Sequence, residues 1–337
     1  MNRISIVIPC RNEVLYIKEC IAAIYANELP VDTVLNVFVV DGMSDDGTRE
    51  VVRELEGEFP NLTLVDNVKK LTPFAFNLGI YQTEADFIQI VGARHILSST
   101  YLSRCLQTLQ QNKDIWCVGG KIENVAINQT GELISEVMSS AFGMGLGNFR
   151  TLKTSGYTDT VTSPMYPYEV FEKIGFFDED LIRNQDDDFN FRVSKAGGKI
   201  YYIHDIELKY YVRAKVSGLR KQFFQYGYWK VFVNRKHGTM TTIRQLVPPA
   251  FVAYLFCLPF TFFFPSWIQV YALLPFFIYL LGMIYFTTKL VGFKHFFRTV
   301  FLFPLIHISY GTGYLLGMID FLLLKKNPSE KQKELSR

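Results

Sequence analysis

Short apolar runs alternate with segments of helical period through the first third of the chain. Residues 4–9, 37–40, 62–65, 87–91 and 116–118 are apolar and rich in β-branched side chains. Between them, Ile17, Cys20, Ile21, Ile24 and Tyr25 fall on one helix face. Val51, Val52 and Leu55 do the same, as do Leu102, Leu106 and Leu109. Fully apolar strands separated by amphipathic helices predict an α/β fold. Its mostly parallel sheet is covered on both faces.

The pattern changes after residue 245. From Leu246 to Thr288, 43 residues pass without Asp, Glu, Lys or Arg. As helix they would extend about 64 Å, twice the bilayer core, which predicts two spans. Pro265-Ser266 is the expected turn, with Trp267 at the interface. A third apolar run, residues 299–324, is broken only by His307 and Asp320. It carries Gly313 and Gly317 in the G-x-x-x-G spacing of a close-packing face. His307 is expensive there unless partnered, and a structural hydrogen bond is the favoured reading. Lys289, Lys294 and Arg298 between the second and third runs place that loop in the cytosol, together with everything before residue 245. Three full spans would then put Lys325, Lys326, Lys331, Lys333 and Arg337 outside, against the same rule. One run is therefore re-entrant or interfacial, or the third holds two short passes. The organisation expected is a cytosolic domain over 1–240 ending in an interfacial helix near 214–237. A membrane domain of two to four apolar helices follows over 245–325, then a basic tail over 326–337. The expected location is the inner (plasma) membrane, multi-pass.

Composition narrows the classes. The chain is 49% hydrophobic and 20% charged, below the roughly 25% charged of an average soluble domain. A net charge of +3 does not suit a nucleic-acid partner. Five cysteines without a C-x-x-C pair argue against a disulfide framework or a zinc site and for a reducing compartment. No secretory signal is read at the start.

In parallel sheets ligands bind beyond the carboxyl ends of the strands. After the first run stands Cys10-Arg11-Asn12-Glu13. After the second stands Asp41-Gly42-Met43-Ser44-Asp45-Asp46-Gly47-Thr48, and after the fourth Gly92-Ala93-Arg94-His95. A plain strand-to-helix turn with a cap would account for Asp45, Asp46 and Gly47 but not for Asp41. Glu13 fits either a site or the first turn of its helix.

Together with later segments these turns resemble a known family. I-x-I-V-I-P-C-R-N-E over 4–13 and V-V-D-G-x-S-x-D-G-T over 39–48 look like the opening of a family-2 inverting glycosyltransferase of the GT-A fold. Asp159-Thr160-Val161, the stretch 168–179, and Asn184-Gln185-Asp186-Asp187-Asp188-Phe189-Asn190-Phe191-Arg192 resemble its acceptor-side and catalytic segments. So do Ala196-Gly197-Gly198, Gln222-x-x-x-Tyr226-Gly227-x-x-Lys230 and Pro248-Pro249. His307-x-Ser309-Tyr310-Gly311-x-Gly313 adds a likeness to the succinoglycan-type membrane-anchored branch. The likeness covers nearly the whole chain.

The resemblance implies a sugar moved from a nucleotide-diphosphate donor, expected to be UDP-linked, to a lipid-linked saccharide in exopolysaccharide or other surface glycan synthesis. It places Asp186 as the base on the acceptor hydroxyl, with Asp188 as the second acidic residue of the catalytic segment. Gln185 stands where the family usually has Glu, and Arg192 closes the motif. On the donor side it places Asp41 on the base and Glu13 near the ribose, with the main chain around Pro9 and Arg11 lining the pocket. Gln222, Tyr226 and Lys230 repeat every four residues on one helix face. With Arg213 they are candidates for the diphosphate or acceptor side, or for anionic lipid headgroups. Relatives hold Mg2+ or Mn2+ through a D-x-D segment after the fourth strand. Here that segment reads Gly92, Ala93, Arg94. Either Arg94 contacts the diphosphate itself, or a cation is held by donor phosphates, water and a remaining carboxylate. His95 reads first as a packed residue. Two other functions remain open: transfer to polyprenyl phosphate itself, and a non-catalytic sugar-nucleotide-binding membrane scaffold.

Overall fold

The computed structural model describes residues 1–145, 152–212, 215–240 and 243–328. The chain divides into two compact units, Met1–Asn124 with Gly147–Tyr211, and Val125–Leu146 with Val212–Arg337.

In the first unit, β1 (Asn2–Cys10), β2 (Thr33–Asp41), β3 (Leu62–Asp66) and β4 (Phe87–Ile90) are joined by α1 (Ile17–Tyr25), α2 (Thr48–Glu56) and α3 (Thr72–Tyr81). Then come β5 (His95–Leu97), α4 (Tyr101–Gln111) and β6 (Ile115–Val125). The chain next contributes α5 (Gln129–Ser139) and α6 (Ala141–Met144) to the second unit. It returns as β7 (Gly156–Thr158), β8 (Thr162–Pro167), α7 (Tyr168–Ile174), α8 (Gln185–Lys195) and β9 (Lys199–Tyr211).

The strands form one sheet in the order β3-β2-β1-β4-β8-β6-β9-β5, with β7 paired to β9. β1 to β4 are parallel, and β8 joins β4 antiparallel. The fold is the expected α/β one. Ile4, Ile6 and Ile8 enter a core with α1, α2 and α4, while Val7 and Val40 face the other way onto α3, α7 and α8. That two-sided burial is why the parallel strands read as unbroken apolar runs. The run at 116–118 extends into the eleven residues of β6, which pairs antiparallel with β8. β5, β7, β8 and β9 carry no comparable run. β9 mixes His, Asp, Glu and Lys with aromatics, and β8 contains two prolines.

The second unit contains α9 (Val216–His237), α10 (Val247–Cys257), a 3-10 segment Leu258–Phe263, α11 (Ser266–Val291), α12 (Phe296–Thr299), α13 (Leu302–Gly317) and a π-helical turn Met318–Leu323. Three stretches are long and apolar enough to cross a membrane: Ile243–Phe263, Ser266–Val291 and Phe296–Leu323. Pro265 precedes α11, where the turn was expected.

The seam of this unit runs between α9 and α13. Gly227 of α9 lies against the Tyr310 carbonyl, Gly313 against the Phe224 carbonyl, and Gly317 against that of Tyr228. A Cβ at any of the three would overlap backbone, so the helices approach as only glycine permits. The G-x-x-x-G face thus serves a helix that also carries charge. This seam, with α5 and α6 packed nearby, groups α9 and residues 125–146 with the apolar helices, although the sequence pattern placed the boundary after residue 240.

Replacing Gly313 by Leu should lower the melting temperature of the detergent-purified protein, since overpacking costs about 1–3 kcal/mol or more. Gly218, in the same α9 but with nothing near its Cβ position, should accept Ala with no loss or a gain of about 0.4–1 kcal/mol. Thermal unfolding of the two variants beside the parent separates a close-packing role from general intolerance.

Candidate active site

The carboxyl ends of β1, β2 and β3 lie in register: Cys10 is beside Asp41, and Asp41 beside Asp66. Asp41 has no solvent exposure. It accepts hydrogen bonds from the Ser44 N–H (2.9 Å) and hydroxyl (2.5 Å) and from Arg49 Nη1 (2.8 Å). Arg49 gives its other terminal nitrogen to Asp66 at 2.7 Å. One guanidinium therefore bridges two neighbouring strand-end carboxylates. Sequence reasoning missed Arg49. The available signal was the pair of acids ending adjacent parallel strands, which calls for a shared cation.

The turns after β1 and β2 are zipped together. Asn12 adopts a left-handed backbone (φ 56°) and exchanges hydrogen bonds with Asp45: its Nδ2 donates to the carboxylate and its Oδ1 accepts from the Asp45 N–H. Its own N–H donates to Ser44 Oγ. Asp46 receives the N–H groups of Val14 and Thr48 and the Thr48 hydroxyl. Burial opposes ionisation of Asp46, but these bonds outweigh it and hold its carboxyl below the usual range. The Arg11 stem packs over Gly42, whose N–H donates to the Cys10 carbonyl. The Arg11 side chain thus spans from the first turn to the second.

Glu13 and Arg94 meet. Arg94 Nε donates to Glu13 Oε2 at 2.7 Å, and its guanidinium lies over the Tyr16 ring, 4.8 Å from the centroid. The Glu13 N–H is held by Thr48 Oγ1. This contact takes one edge of the guanidinium and leaves the Nη pair without a hydrogen bond among the described residues.

At the place of the D-x-D segment, a Cβ on Gly92 would press to 3.1 Å from the His95 ring. His95 Nδ1 is held by Ser163 Oγ at 2.7 Å, and Ser163 in turn sits at φ 43° with its carbonyl bound by Gln89 Nε2 and Tyr101 Oη. His95 is therefore a packed residue, as first read. Among the described residues, no three His, Cys, Asp or Glu side chains are grouped to hold a metal ion. The side chains that replace the D-x-D carboxylates do not fit a cation: two have no oxygen and the third is a cation already paired.

α8 presents the acidic segment. Asn184 precedes it in a left-handed conformation (φ 60°), and Asp186, Asp187 and Asp188 occupy the first turn, where the helix dipole favours negative charge. Their surroundings differ. Asp186 is exposed. Asp188 has no exposure, and its Oδ2 accepts from Arg192 Nε at 3.0 Å. Arg192 also donates to the carbonyls of Ile174, Gly175 and Phe176. This arrangement makes Asp188 and Arg192 a brace that fixes α8 to the end of α7. Gln185 Oε1 is buried without a partner among the described residues. Asn77 of α3, also missed, clamps the approach to α8 by bonding both the N–H and the carbonyl of Phe177. Phe189 of α8 packs edge-on to Tyr166 of β8, and β8 adjoins β4, which carries the Arg94 turn. Burial above all raises Tyr166 well beyond an ordinary phenol; the adjoining Cys117 and the charge of Asp186 add to it.

Gln222, Tyr226 and Lys230 are on α9 in the second unit. The first two are joined, Gln222 Nε2 to Tyr226 Oη at 2.8 Å, and Lys230 is buried. Arg213 lies outside the described residues.

A mixed sheet whose parallel strand ends gather carboxylates and arginines, beside an acidic helix start, fits a GT-A-like fold. Comparison with known proteins agrees. A family model described as "Glycosyltransferase like family 2" matches residues 2–230, and the chain belongs to that family; it is a glycosyltransferase. It is 32% identical over 70% of its length to a dolichyl N-acetyl-α-D-glucosaminyl phosphate 3-β-D-2,3-diacetamido-2,3-dideoxy-β-D-glucuronosyltransferase of Methanococcus voltae, covering 75% of that protein. It is 29% identical over 73% of its length to the succinoglycan biosynthesis protein ExoA of Rhizobium meliloti, covering 74% of it. Among solved structures it is similar to the mannosyltransferase PcManGT of Pyrobaculum calidifontis, determined with GDP-Man and Mn2+. The TM-score is 0.60 at 16% identity, over 93% of this chain and 87% of that one; this likeness concerns the fold.

Substituting Arg49 by Leu should strand Asp41 as a buried unpaired carboxylate, a loss of about 3–5 kcal/mol. The double variant Arg49→Leu, Asp41→Asn should recover part of it. Denaturant unfolding of the four-member cycle measures the coupling, and additive losses would show that the bridge is not what holds these strand ends.

Proposed function

We propose that this chain is a membrane-anchored inverting glycosyltransferase. It takes a sugar from a cytosolic nucleotide-diphosphate donor, a UDP-sugar, and extends a lipid-linked saccharide during surface glycan synthesis. The observation that carries the reading is the contrast within α8: an exposed Asp186 beside a buried, braced Asp188. A base must reach an acceptor hydroxyl, and a carboxylate fixed in the interior cannot. Asp186 accepts the proton as the acceptor oxygen attacks the anomeric carbon from the face opposite the departing diphosphate. Asp188 and Arg192 hold Asp186 in position, and Gln185 Oε1 offers an acceptor to a sugar hydroxyl. The names of the Methanococcus and Rhizobium relatives support a lipid-linked sugar as acceptor and a polysaccharide role. The three apolar stretches support a membrane location, with the catalytic unit on the cytosolic side where nucleotide sugars are made.

On the donor side, Asp41 acts from beneath the site: held by Ser44 and Arg49, it fixes the shape of the turn against which the base lies, while Pro9 and Arg11 line the pocket rim. Arg94, oriented by Glu13 and Tyr16, turns its Nη pair toward the diphosphate and supplies there a positive charge that is part of the protein. Lys230, Arg213, Gln222 and Tyr226 serve the diphosphate or acceptor side.

Asp186→Asn should slow transfer by about 10²–10⁴-fold and leave UDP affinity unchanged; normal turnover by that variant would remove the assignment. Calorimetric titration of UDP should give the same affinity in EDTA as in Mg2+. Arg94→Ala should weaken binding roughly ten- to a hundredfold, the range of one charged hydrogen-bonding group. UDP binding that vanished in EDTA and ignored Arg94→Ala would overturn the metal-free clamp.

A further inference from the structure

The three apolar stretches are not equivalent. Only 6% of the apolar window is buried in each of Ile243–Phe263 and Ser266–Val291, against 44% in Phe296–Leu323. The first two form a hairpin. Phe251 stacks on Tyr279 at 4.3 Å, and Tyr254 reaches into α11 where Pro275 interrupts it. Its hydroxyl donates to the Ala272 carbonyl (2.6 Å) and accepts from the Phe276 N–H (3.2 Å). The backbone groups separated beside the proline are thereby satisfied within the hairpin, the condition a helix must meet in hydrocarbon.

α13 touches the hairpin through His307, whose ring nitrogens bond Tyr279 Oη of α11 (2.9 Å) and the Phe142 carbonyl (3.0 Å), but its long seam is with α9. Its contacts with α9 advance overall in the same direction on both helices, although Gly227 reaches back to Tyr310 and Asn234 to Tyr314. Phe224 meets Gly313, Tyr228 meets Gly317, and Trp229 and Phe232 meet Phe321. Arg235 binds the carbonyls of Phe321 and Lys326. The two helices therefore run side by side, and α13 shares the depth of α9. α9 carries Arg220, Lys221, Lys230, Arg235 and Lys236, and buries Gln225 and Asn234. A helix so charged does not lie in the bilayer core. The start of α10 is at the same level: Gly311 abuts Pro248, and Asn234 binds both Gln245 and Tyr314.

Building on the membrane location proposed above, we propose that the chain crosses the bilayer twice, through the α10–α11 hairpin alone. α13 lies along the membrane surface on α9. Its outward side chains Ile308, Leu316, Ile319 and Leu323 enter the boundary between headgroups and acyl chains, as in-plane helices do. This arrangement puts Lys289, Lys294, Arg298, Lys325 and Lys326 on the side that carries the basic residues of α9. It removes the conflict with the positive-inside rule that three crossings create. The third apolar run is apolar on one side for its seam with α9 and on the other for lipid.

Single-cysteine labelling tests the sidedness. Cys10, Cys20, Cys105 and Cys117 are buried and Cys257 is exposed, so a Cys257→Ser chain is the background. Cysteines at the exposed positions Val31, Ser266 and Asn327 mark the catalytic unit, the α10–α11 turn and the end of the third run. A membrane-impermeant maleimide is applied to right-side-out and inside-out vesicles. Positions 31 and 327 should react in one vesicle orientation and position 266 only in the other. A cysteine appended after Arg337 repeats the test if the Asn327 variant, which loses a bond to Arg235, is not produced. Reaction of 327 together with 266 would establish a third crossing and overturn the proposal. Reaction of all three from one side, with the protein retained after alkaline carbonate, would show that the hairpin does not cross. Release by carbonate would instead remove the membrane location itself, and the proposal with it.

Discussion

Two carboxylates end adjacent parallel strands in the same register, and the turns at that end of the sheet are organised around that constraint. Asp41 and Asp66 cannot avoid each other, because the hydrogen-bond ladder of β2 and β3 sets them side by side. Asp41 has no access to water, so its charge is tolerable only while Arg49 and Ser44 solvate it. Arg49 stands one residue into α2, which begins where it does because Gly47 turns left-handed. The turn from 41 to 48 thereby acquires one shape, and that shape offers Ser44 and Asp45 to Asn12 on the neighbouring turn. The shape of the two zipped turns is thus a consequence of charge compensation beneath them.

The same economy governs α8. Three successive acids crowd one helical turn, and the fold separates them by environment. Asp188 is drawn inside by Arg192, which simultaneously satisfies three carbonyls at the end of α7. Asp186 lies at the exposed start of the helix, where the dipole favours negative charge. Sequence spacing alone does not distinguish the three acids. The i, i+4 relation of Asp188 to Arg192 does, once the segment is known to be helical.

Much of the parallel half of the sheet was legible because strands buried on both faces must be apolar at every position. β1 to β4 and their helices announce themselves for that reason. The antiparallel part was not, because β9 has polar residues along it and β8 begins and ends on special backbone: Ser163 at positive φ and Pro167 at the helix boundary. Asp41, Glu13 and Asp186 stood out as acids at strand ends or at a helix start. Arg49 and Asn77 did not, since each acts on a partner distant in sequence. That Glu13 and Arg94 would meet was also hidden: 81 residues separate them. The glycines of the third apolar run were legible as a packing face. Their partner was not, because α9 reads as a charged, exposed helix until its contacts are seen.

The Glu13–Arg94 pair bears on the diphosphate clamp proposed above for a chain without a D-x-D segment. Two carboxylates and a divalent cation sum to zero charge, and so do one glutamate and one arginine. What a diphosphate needs is not net charge but a positive face turned toward it, with the compensating negative charge behind. A cation held by carboxylates provides that face by coordination. In the clamp proposed above Arg94 would provide it by geometry, since Glu13 grips the Nε edge and the Tyr16 ring lies against the guanidinium. Gly92 is then free of any ligand duty, and the space beside it is taken by His95. A side chain at position 92 would require the His95 ring, bonded to Ser163, to give by a few tenths of an ångström. Because Ser163 is itself held by Gln89 and Tyr101, the room beside residue 92 is set by that packed group, and a side chain there has to be accommodated by it.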